Sequence, residues 1–333
     1  MIQTYPNFSD ITLDLREILD PLFKSLHDGI SEFTYANLYL FRKAHSYRIT
    51  RLNGDLYAVS GNDEIAGPEK VTPTDEVTGA ADYISSEKVT DSGSESISRS
   101  ESSSGSESSS RSEASFFMLP FGLPERGLLD ELFKNFLSMK AVTETQASAL
   151  TRMGYKVVED RDNFDYLYLK TELETLQGRK YHKKKNLVNA FINDHSYEGK
   201  PLLEEYHGDA LKVLDSWRNN RQSPGDYGPA KEAVEKAEDL SLCGGIYYVD
   251  KKPAAFTLGE EIAGGNTFVI HFEKAISEYR GIYQFINKSF ASILPEKYVY
   301  INREQDIGDH GLRQAKMSYK PHAFVKKYRA FSE

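Results

Sequence analysis

The stretch GGNTFVIHFEKAISEYRGIYQFINKSFASILPEKYVYINREQDIGDHGLRQAKMSYKP, residues 264–321, decides how the chain is read. It opens with an extended run from Thr267 to Glu273. Strict alternation there puts Phe268, Ile270 and Phe272 on one face and His271 and Glu273 on the other. Tyr279-Arg280-Gly281 then opens a helix that runs through Ala291, with Ile282, Phe285, Ile286 and Phe290 on one stripe. Pro295 closes the segment before a second strand, Tyr298 to Asn302. The order is strand, helix, strand. A helix that starts directly after a strand directs free N–H groups out of the sheet, where they can hold a phosphate or another anion.

Asn302, Arg303, Glu304 and Asp306 fall at the carboxyl end of the second strand, where ligands collect in open α/β sheets. A strand end seldom places so many polar groups for solubility alone, so a functional reading leads and capping of the sheet edge is the alternative. Beyond them Arg313 and Lys316 recur at helical spacing, with Tyr319 following. Six Lys or Arg and no acidic residue occur between Arg313 and Arg329, and Pro321 ends or kinks any helix there.

With EYRGIYQFIN before it, the run YINREQDIGDHGLRQAKMSYKP resembles a large bacterial family related to the C-terminal domain of phosphatidylglycerol lysyltransferase. SEFTYANLYLFR, DYLYLKTELETLQGRKYHKKKNLVNAFI and GGIYYVDKKPAAFTLGE carry the same resemblance over nearly the whole chain. It implies an α+β protein of two tandem GNAT-like (acyl-CoA N-acyltransferase-like) domains, each a mixed, mostly antiparallel sheet flanked by helices. One departure bears on the donor. The acetyl-CoA loop of such enzymes takes small residues after its opening Arg, whereas here Tyr283 and Phe285 follow Arg280-Gly281 and would crowd a pyrophosphate. Aminoacyl-tRNA-dependent relatives of the fold also lack a good version of that loop.

Working outward, 333 residues with 39% hydrophobic content are enough for two domains with real cores. One cysteine, Cys243, excludes an intramolecular disulfide. The first residues show no basic region followed by an apolar one, and no apolar run reaches the ~20 residues that span a bilayer. A cytoplasmic protein without an integral membrane segment is expected. Ile11, Leu15, Ile18, Leu19, Leu22, Phe23 and Leu26 form a helical stripe, Glu32 to Phe41 fits helix and strand equally, and strands at Tyr47–Thr50 and Leu56–Ser60 flank the Asn53-Gly54 turn.

Asn62 to Ser115 differs in kind. Fourteen of the 24 residues from Ser92 to Ser115 are serine, and the segment carries 12 acidic against 4 basic residues. Such a composition buries too little apolar surface to offset chain ordering, so disorder is expected. The segment accounts for −8 of the net −9, so the overall acidity says little about what the folded part binds. A neutral loop expansion is the plain reading, and a phosphorylation or partner segment the alternative. Behind it, helices are expected at Gly127–Met139 and Glu144–Met153, and strands at Tyr155–Val158 and Phe164–Leu169. Residues 1–61 and 116–178 are expected to form the first domain and 179–333 the second.

GRKYHKKKNLVNAFINDH joins the two, with five Lys or Arg among the seven residues from Arg179 to Lys185. Positive charge at a helix start opposes the macrodipole, so Lys183 and Lys184 suit an anion, whether a phosphate of tRNA, a nucleotide or a lipid headgroup or an acidic surface of the same protein, and a solvated linker is the equal alternative. Helices around Ala210–Trp217 and after Pro229 lead into strands Ile246–Val249 and Ala254–Leu258. That order, two helices, antiparallel strands, then strand–helix–strand, is a GNAT core reached from periodicity alone.

No G-x-S-x-G, G-x-x-x-x-G-K-[ST] or H-E-x-x-H occurs, and the eight histidines lack metal spacing, so no metal is expected. His271 and Glu273 have the placement of a general base, which acyl transfer to an amine requires; a satisfied core histidine is the alternative for His271. The leading reading is an acyl- or aminoacyltransferase. Arg280, Gly281, Ile282, Lys183 and Lys184 would face the donor, an aminoacyl-tRNA or an acyl-CoA. His271, Glu273, Asn302 and Glu304 would do the chemistry. Arg303, Asp306, Arg313, Lys316 and Tyr319 would meet a small-molecule, peptide or lipid-headgroup acceptor. A non-catalytic ligand-binding protein of this fold and an RNA-associated protein are the competing classes.

Overall fold

The computed structural model describes residues 1–63, 115–221 and 223–332. The expectation for the serine-rich segment therefore falls outside the described residues from 64 to 114, but its ends do not. Asn62 and Ser115 face each other across an antiparallel strand pair.

In chain order the first half runs β1 (Ser9–Asp10), α1 (Arg16–Lys24), α2 (Tyr35–Phe41), β2 (Arg48–Arg51), β3 (Tyr57–Asn62), β4 (Ser115–Met118), α3 (Arg126–Asn135), β5 (Ser138–Val142), α4 (Glu144–Arg152), β6 (Lys156–Glu159) and β7 (Asp165–Leu169). After α5 (Lys170–Thr175) and α6 (His182–Asp194) come β8 (Tyr197–Pro201), α7 (His207–Asn219), α8 (Tyr227–Glu235), β9 (Cys243–Val249), β10 (Lys252–Ile262), β11 (Thr267–Ala275), α9 (Ile282–Ile293), β12 (Tyr300–Asn302), α10 (His310–Met317), β13 (Ala323–Val325) and β14 (Tyr328–Phe331).

Local chemistry explains several boundaries. The ambiguous Glu32–Phe41 stretch becomes a helix because Thr34 caps it, its side chain accepting from the Asn37 N–H at 3.0 Å. Thr143 and Gln146 form a reciprocal capping box at the start of α4. The helix expected at Gly127–Met139 ends at Asn135. Its last residues instead enter β5, where Met139 and Val142 are fully buried in the sheet.

The strands form two seven-stranded sheets, ordered β1-β2-β3-β4-β5-β14-β6 and β8-β9-β10-β11-β12-β7-β13. Position for position they repeat. Each has one parallel pair, β4 with β5 and β11 with β12, bridged by a helix. The sixth strand of each sheet comes from the other half of the chain: β7 pairs with β12 and β13, and β14 with β5 and β6. A division at 178/179 is therefore out of step with the sheets, because 165–169 lie in the second and 328–331 in the first.

The exchange is pinned by charge. Asp165 begins β7 and Lys327 immediately precedes β14. Both are fully buried, and Lys327 Nζ lies 2.7 Å from Asp165 Oδ1 while also bonding Glu32. Asp165 further accepts from the Ser31 N–H and hydroxyl, each at 2.9 Å, and from Asn302 Nδ2 at 3.2 Å. Burial and the nearby Glu32 push the Asp165 carboxyl up to about 6 against the pull of Lys327.

One apolar cluster joins the halves, with Leu38 and Tyr39 of α2 in the same core as Leu214, Trp217, Phe256 and Phe272. A second lies between the second sheet and α6 and α9, and a third between the first sheet and α3 and α4. β11 contributes to two of these clusters. Phe268 and Ile270 belong to the α9 side, Phe272 to the core joining the halves. The expected single face fails because a β-bulge inserts one residue. Gly259 pairs with Ile270 and Leu258 with Phe272, which leaves His271 as the extra residue and inverts the alternation after it.

Candidate functional site

The parallel pairing of β11 with β12 runs from Thr267↔Tyr300 to Val269↔Asn302. β11 then continues to Ala275 while β12 stops, so the sheet opens at its carboxyl edge. Arg303 lies just past the opening and donates to Glu273 Oε1 at 2.6 Å. The ion pair is sheltered: the side chains are 15% and 8% exposed. Tyr319 closes it on one side, with the Arg303 guanidinium 5.6 Å from the ring centre. Lys184 Nζ stands 4.3 Å above the same ring, and burial together with the Arg303 charge lowers its pKa. Glu273, Arg303, Tyr319 and Lys184, read separately from sequence, are thus one group.

Two further side chains join them from positions that sequence reasoning passed over. Thr257 is the cross-strand partner of both Glu273 and Gly245. The Tyr247 phenol runs back along β9, its hydroxyl 3.3 Å from where a Cβ on Gly245 would stand. Glu273 Oε2, Thr257 Oγ1 and Tyr247 Oη are buried without a hydrogen-bond partner among the described residues. Burial, and next the Glu273 charge, raise the Tyr247 pKa, so the phenol stays protonated. The available signal was a lone Thr in the apolar run AAFTLG beside a Gly-Gly pair.

His271 does not share this group. The bulge turns Glu273 to the face of Phe268 and Ile270 and leaves His271 on the other, where Nδ1 lies 2.7 Å from Glu304 Oε1 and Nε2 lies 3.0 Å from Glu260 Oε1. Its side chain is 1% exposed. Burial alone would depress the imidazolium pKa, but hydrogen bonds and charge from Glu260 and Glu304 outweigh it and push it up to about 10. A histidine held as a cation between two carboxylates cannot accept a proton, so the expected pairing of His271 with Glu273 as a base is replaced by two separate networks.

The other sequence candidates hold one another. Asn302 donates to the Gly29 carbonyl at 2.9 Å and accepts from the Glu304 N–H at 2.7 Å, which fixes the turn at the sheet opening. Glu304 occupies the left-handed region there, at φ 56°. Lys316 donates to the carbonyls of Arg303, Glu304 and Gln305 at 2.6, 3.2 and 2.6 Å. Burial, partly offset by Glu304, draws its pKa down to about 8. Asp306 accepts from Arg313, Tyr166, Arg161 and the Gly308 N–H. These bonds outweigh burial and hold its carboxyl below the usual range. Asp306 and Arg313 thus close on each other.

Around Arg280, Gly281 and Ile282 the structure departs from a phosphate loop. Gly281 has φ 87°, and a Cβ there would lie 2.5 Å from the Leu187 carbonyl of α6. The glycine admits a neighbouring helix backbone. Ile282 is core, and Phe285 stacks on Phe191 with ring centres 4.5 Å apart. Lys183 is exposed on α6.

Residues 109–331 match the family model "Phosphatidylglycerol lysyltransferase, C-terminal". A crystal structure of a conserved protein of unknown function from Bacteroides thetaiotaomicron VPI-5482 is similar over 100% of both chains, with 27% identity and a TM-score of 0.76. The crystal structure of FemX shares the fold at 9% identity and a TM-score of 0.55, covering 98% of this chain and 97% of FemX. An uncharacterized protein, MYCGA3080 of Mycoplasmoides gallisepticum, is 26% identical over 171 residues, 49% of this chain, and the match spans only 54% of that protein's length. The two repeated sheets, each with its helix-bridged parallel pair, are tandem GNAT-like units, and the chain belongs to the phosphatidylglycerol lysyltransferase C-terminal family.

Proposed function

We propose that the chain transfers an acyl group of the aminoacyl class, and that the transfer takes place at the opening between β11 and β12. One observation carries the reading: Glu273 keeps a buried carboxylate oxygen without a partner, while its other oxygen is tied to Arg303 at the carboxyl edge of the sheet. The acceptor nitrogen or oxygen bonds to the carbonyl carbon of the donor ester and gives its proton to Glu273 Oε2. The ester C–O bond breaks, and the leaving hydroxyl takes that proton up. Arg303, held by Glu273 and Tyr319, is placed to meet the negative charge that develops on the carbonyl oxygen.

Family membership and the crowded helix start at Gly281 favour an aminoacyl-tRNA over an acyl-CoA as donor. The exposed Arg179 and Lys183 at the entry of α6 would meet its phosphates, and Lys184 would stand between them and Arg303. No helix among the described residues is long and apolar enough to cross a membrane.

The test is transfer of a labelled aminoacyl group from charged tRNA to hydroxyl and amine acceptors. Arg303→Ala and Glu273→Gln should each lower kcat at least 100-fold with a much smaller change in KM, because both act mainly in the transition state. Transfer that survives both substitutions would overturn the assigned centre, and no transfer from any charged tRNA would overturn the activity.

A further inference from the structure

Glu273, Thr257 and Tyr247 lie in a row across β11, β10 and β9, on the face covered by α9. Thr257 sits directly opposite Glu273 in one strand pair and opposite Gly245 in the next. Because Gly245 has no side chain, the Tyr247 ring lies over it and brings its hydroxyl about one interstrand step, ~4.8 Å, from the Thr257 position. Phe285 of α9 meets the Tyr247 ring edge to face at 6.0 Å.

Three polar oxygens side by side, all buried and all unpartnered, are unlike the rest of this sheet face. An unmade hydrogen bond in the interior costs stability, and an apolar side chain of the same shape would remove that cost at each position. Thr257 is wholly buried and Tyr247 is 4% exposed, so bulk water does not serve them.

We infer that this row is a subsite for a protonated primary amine, whose three N–H groups are taken by Glu273 Oε2, Thr257 Oγ1 and Tyr247 Oη. The count matches: an ammonium has three donors and no acceptor, a carboxylate accepts only, and both hydroxyls have free lone pairs. Arg303 holds the other Glu273 oxygen at 2.6 Å, which leaves Oε2 facing the row. The inference rests on the transfer reading for its substrate: the ammonium belongs either to the transferred aminoacyl group, leaving the second lone pair of Glu273 Oε2 for the acceptor's proton, or to an amine acceptor, which gives Oε2 one of its protons before it attacks, and the chemistry of recognition is the same.

The experiment is ligand-observed NMR titration of the whole chain with n-butylammonium, n-butanol and tetramethylammonium, on the parent protein and on Tyr247→Phe and Thr257→Val. Each substitution removes one oxygen at nearly constant shape, and neither residue takes part in the proposed proton transfer. The parent should bind n-butylammonium at least tenfold more tightly than the other two probes, each variant should lose at least fivefold of that binding, and both variants should melt at or above the parent temperature. Equal binding of n-butanol, or unchanged amine binding in both variants, would overturn the subsite. So would a lower melting temperature in both, since it would mean the oxygens already have partners. Competition by alanine methyl ester but not by its N-acetyl form would place the ammonium on the acyl group; competition by n-butylammonium against acceptor alone would place it on the acceptor. Amine binding without transfer would leave the subsite standing and remove the transferase reading, whereas transfer without amine preference would do the reverse.

Discussion

Replacing His271 by Gln tests whether the bulge residue is a buried cation. In the native protein its two ring nitrogens lie 2.7 and 3.0 Å from Glu304 and Glu260, and the folded pKa is about 10 against 6.5 for a free imidazole. The folded value is the higher one, so this group's contribution is fully present below pH 6.5 and is lost as pH rises toward 10. Lys316 works in the opposite sense. Its folded pKa, about 8, lies below the ordinary lysine value, so the cost of burying its charge is relieved only above pH 8. Between pH 6.5 and 8 the histidine therefore acts with little opposition, and linkage gives a loss of about 1.5 kcal/mol over that interval. For folded units of this size that is roughly a 3–6 °C fall in Tm. His271→Gln should remove this slope and, by leaving two carboxylates without their cation, should cost about 3–5 kcal/mol at pH 6.5. The assay is urea unfolding at pH 6.5, 7.2 and 8.0 on both proteins. Equal slopes in parent and variant would refute a charged His271.

Gly281→Ala should destabilise by more than about 1 kcal/mol in the same assay, because it combines a left-handed backbone with a Cβ 2.5 Å from the Leu187 carbonyl; a neutral result would mean that α6 and α9 are not so closely packed. Neither residues 1–178 nor residues 179–333 should fold alone, since each lacks the sixth strand of its sheet, whereas mixing the two should restore cooperative unfolding; a stable isolated half with native circular dichroism would contradict the exchange.

The strand–helix–strand order of residues 267–302 was legible because period-2 and period-3.6 apolar patterns are local properties, each set by a few neighbouring residues. Arg303 and Tyr319 were legible as polar or aromatic groups near a strand end. The partners they acquire were not. Glu260 was missed because it sits at the end of an apolar run that reads only as a strand, and Thr257 and Tyr247 because what makes them notable is an unmade hydrogen bond, which only a packed environment can define.

The sequence by itself determined the strand–helix–strand order of residues 267–302 and the basic entry to α6, since both are written in spacing and composition, while the two-unit architecture and the family rested on the resemblance of its motifs to known proteins. The tertiary structure alone decided three things. A one-residue bulge at His271 reversed which side chains share a face, because side-chain direction in a strand has a period of two. The close approach of α6 gave Gly281 to a helix carbonyl in place of a phosphate. The exchange of β7 and β14, pinned by Asp165 and Lys327 across 162 residues of chain, made two units interdependent. Strand pairing between distant segments depends on which sheet edges the rest of the fold leaves open, and no local pattern carries that information.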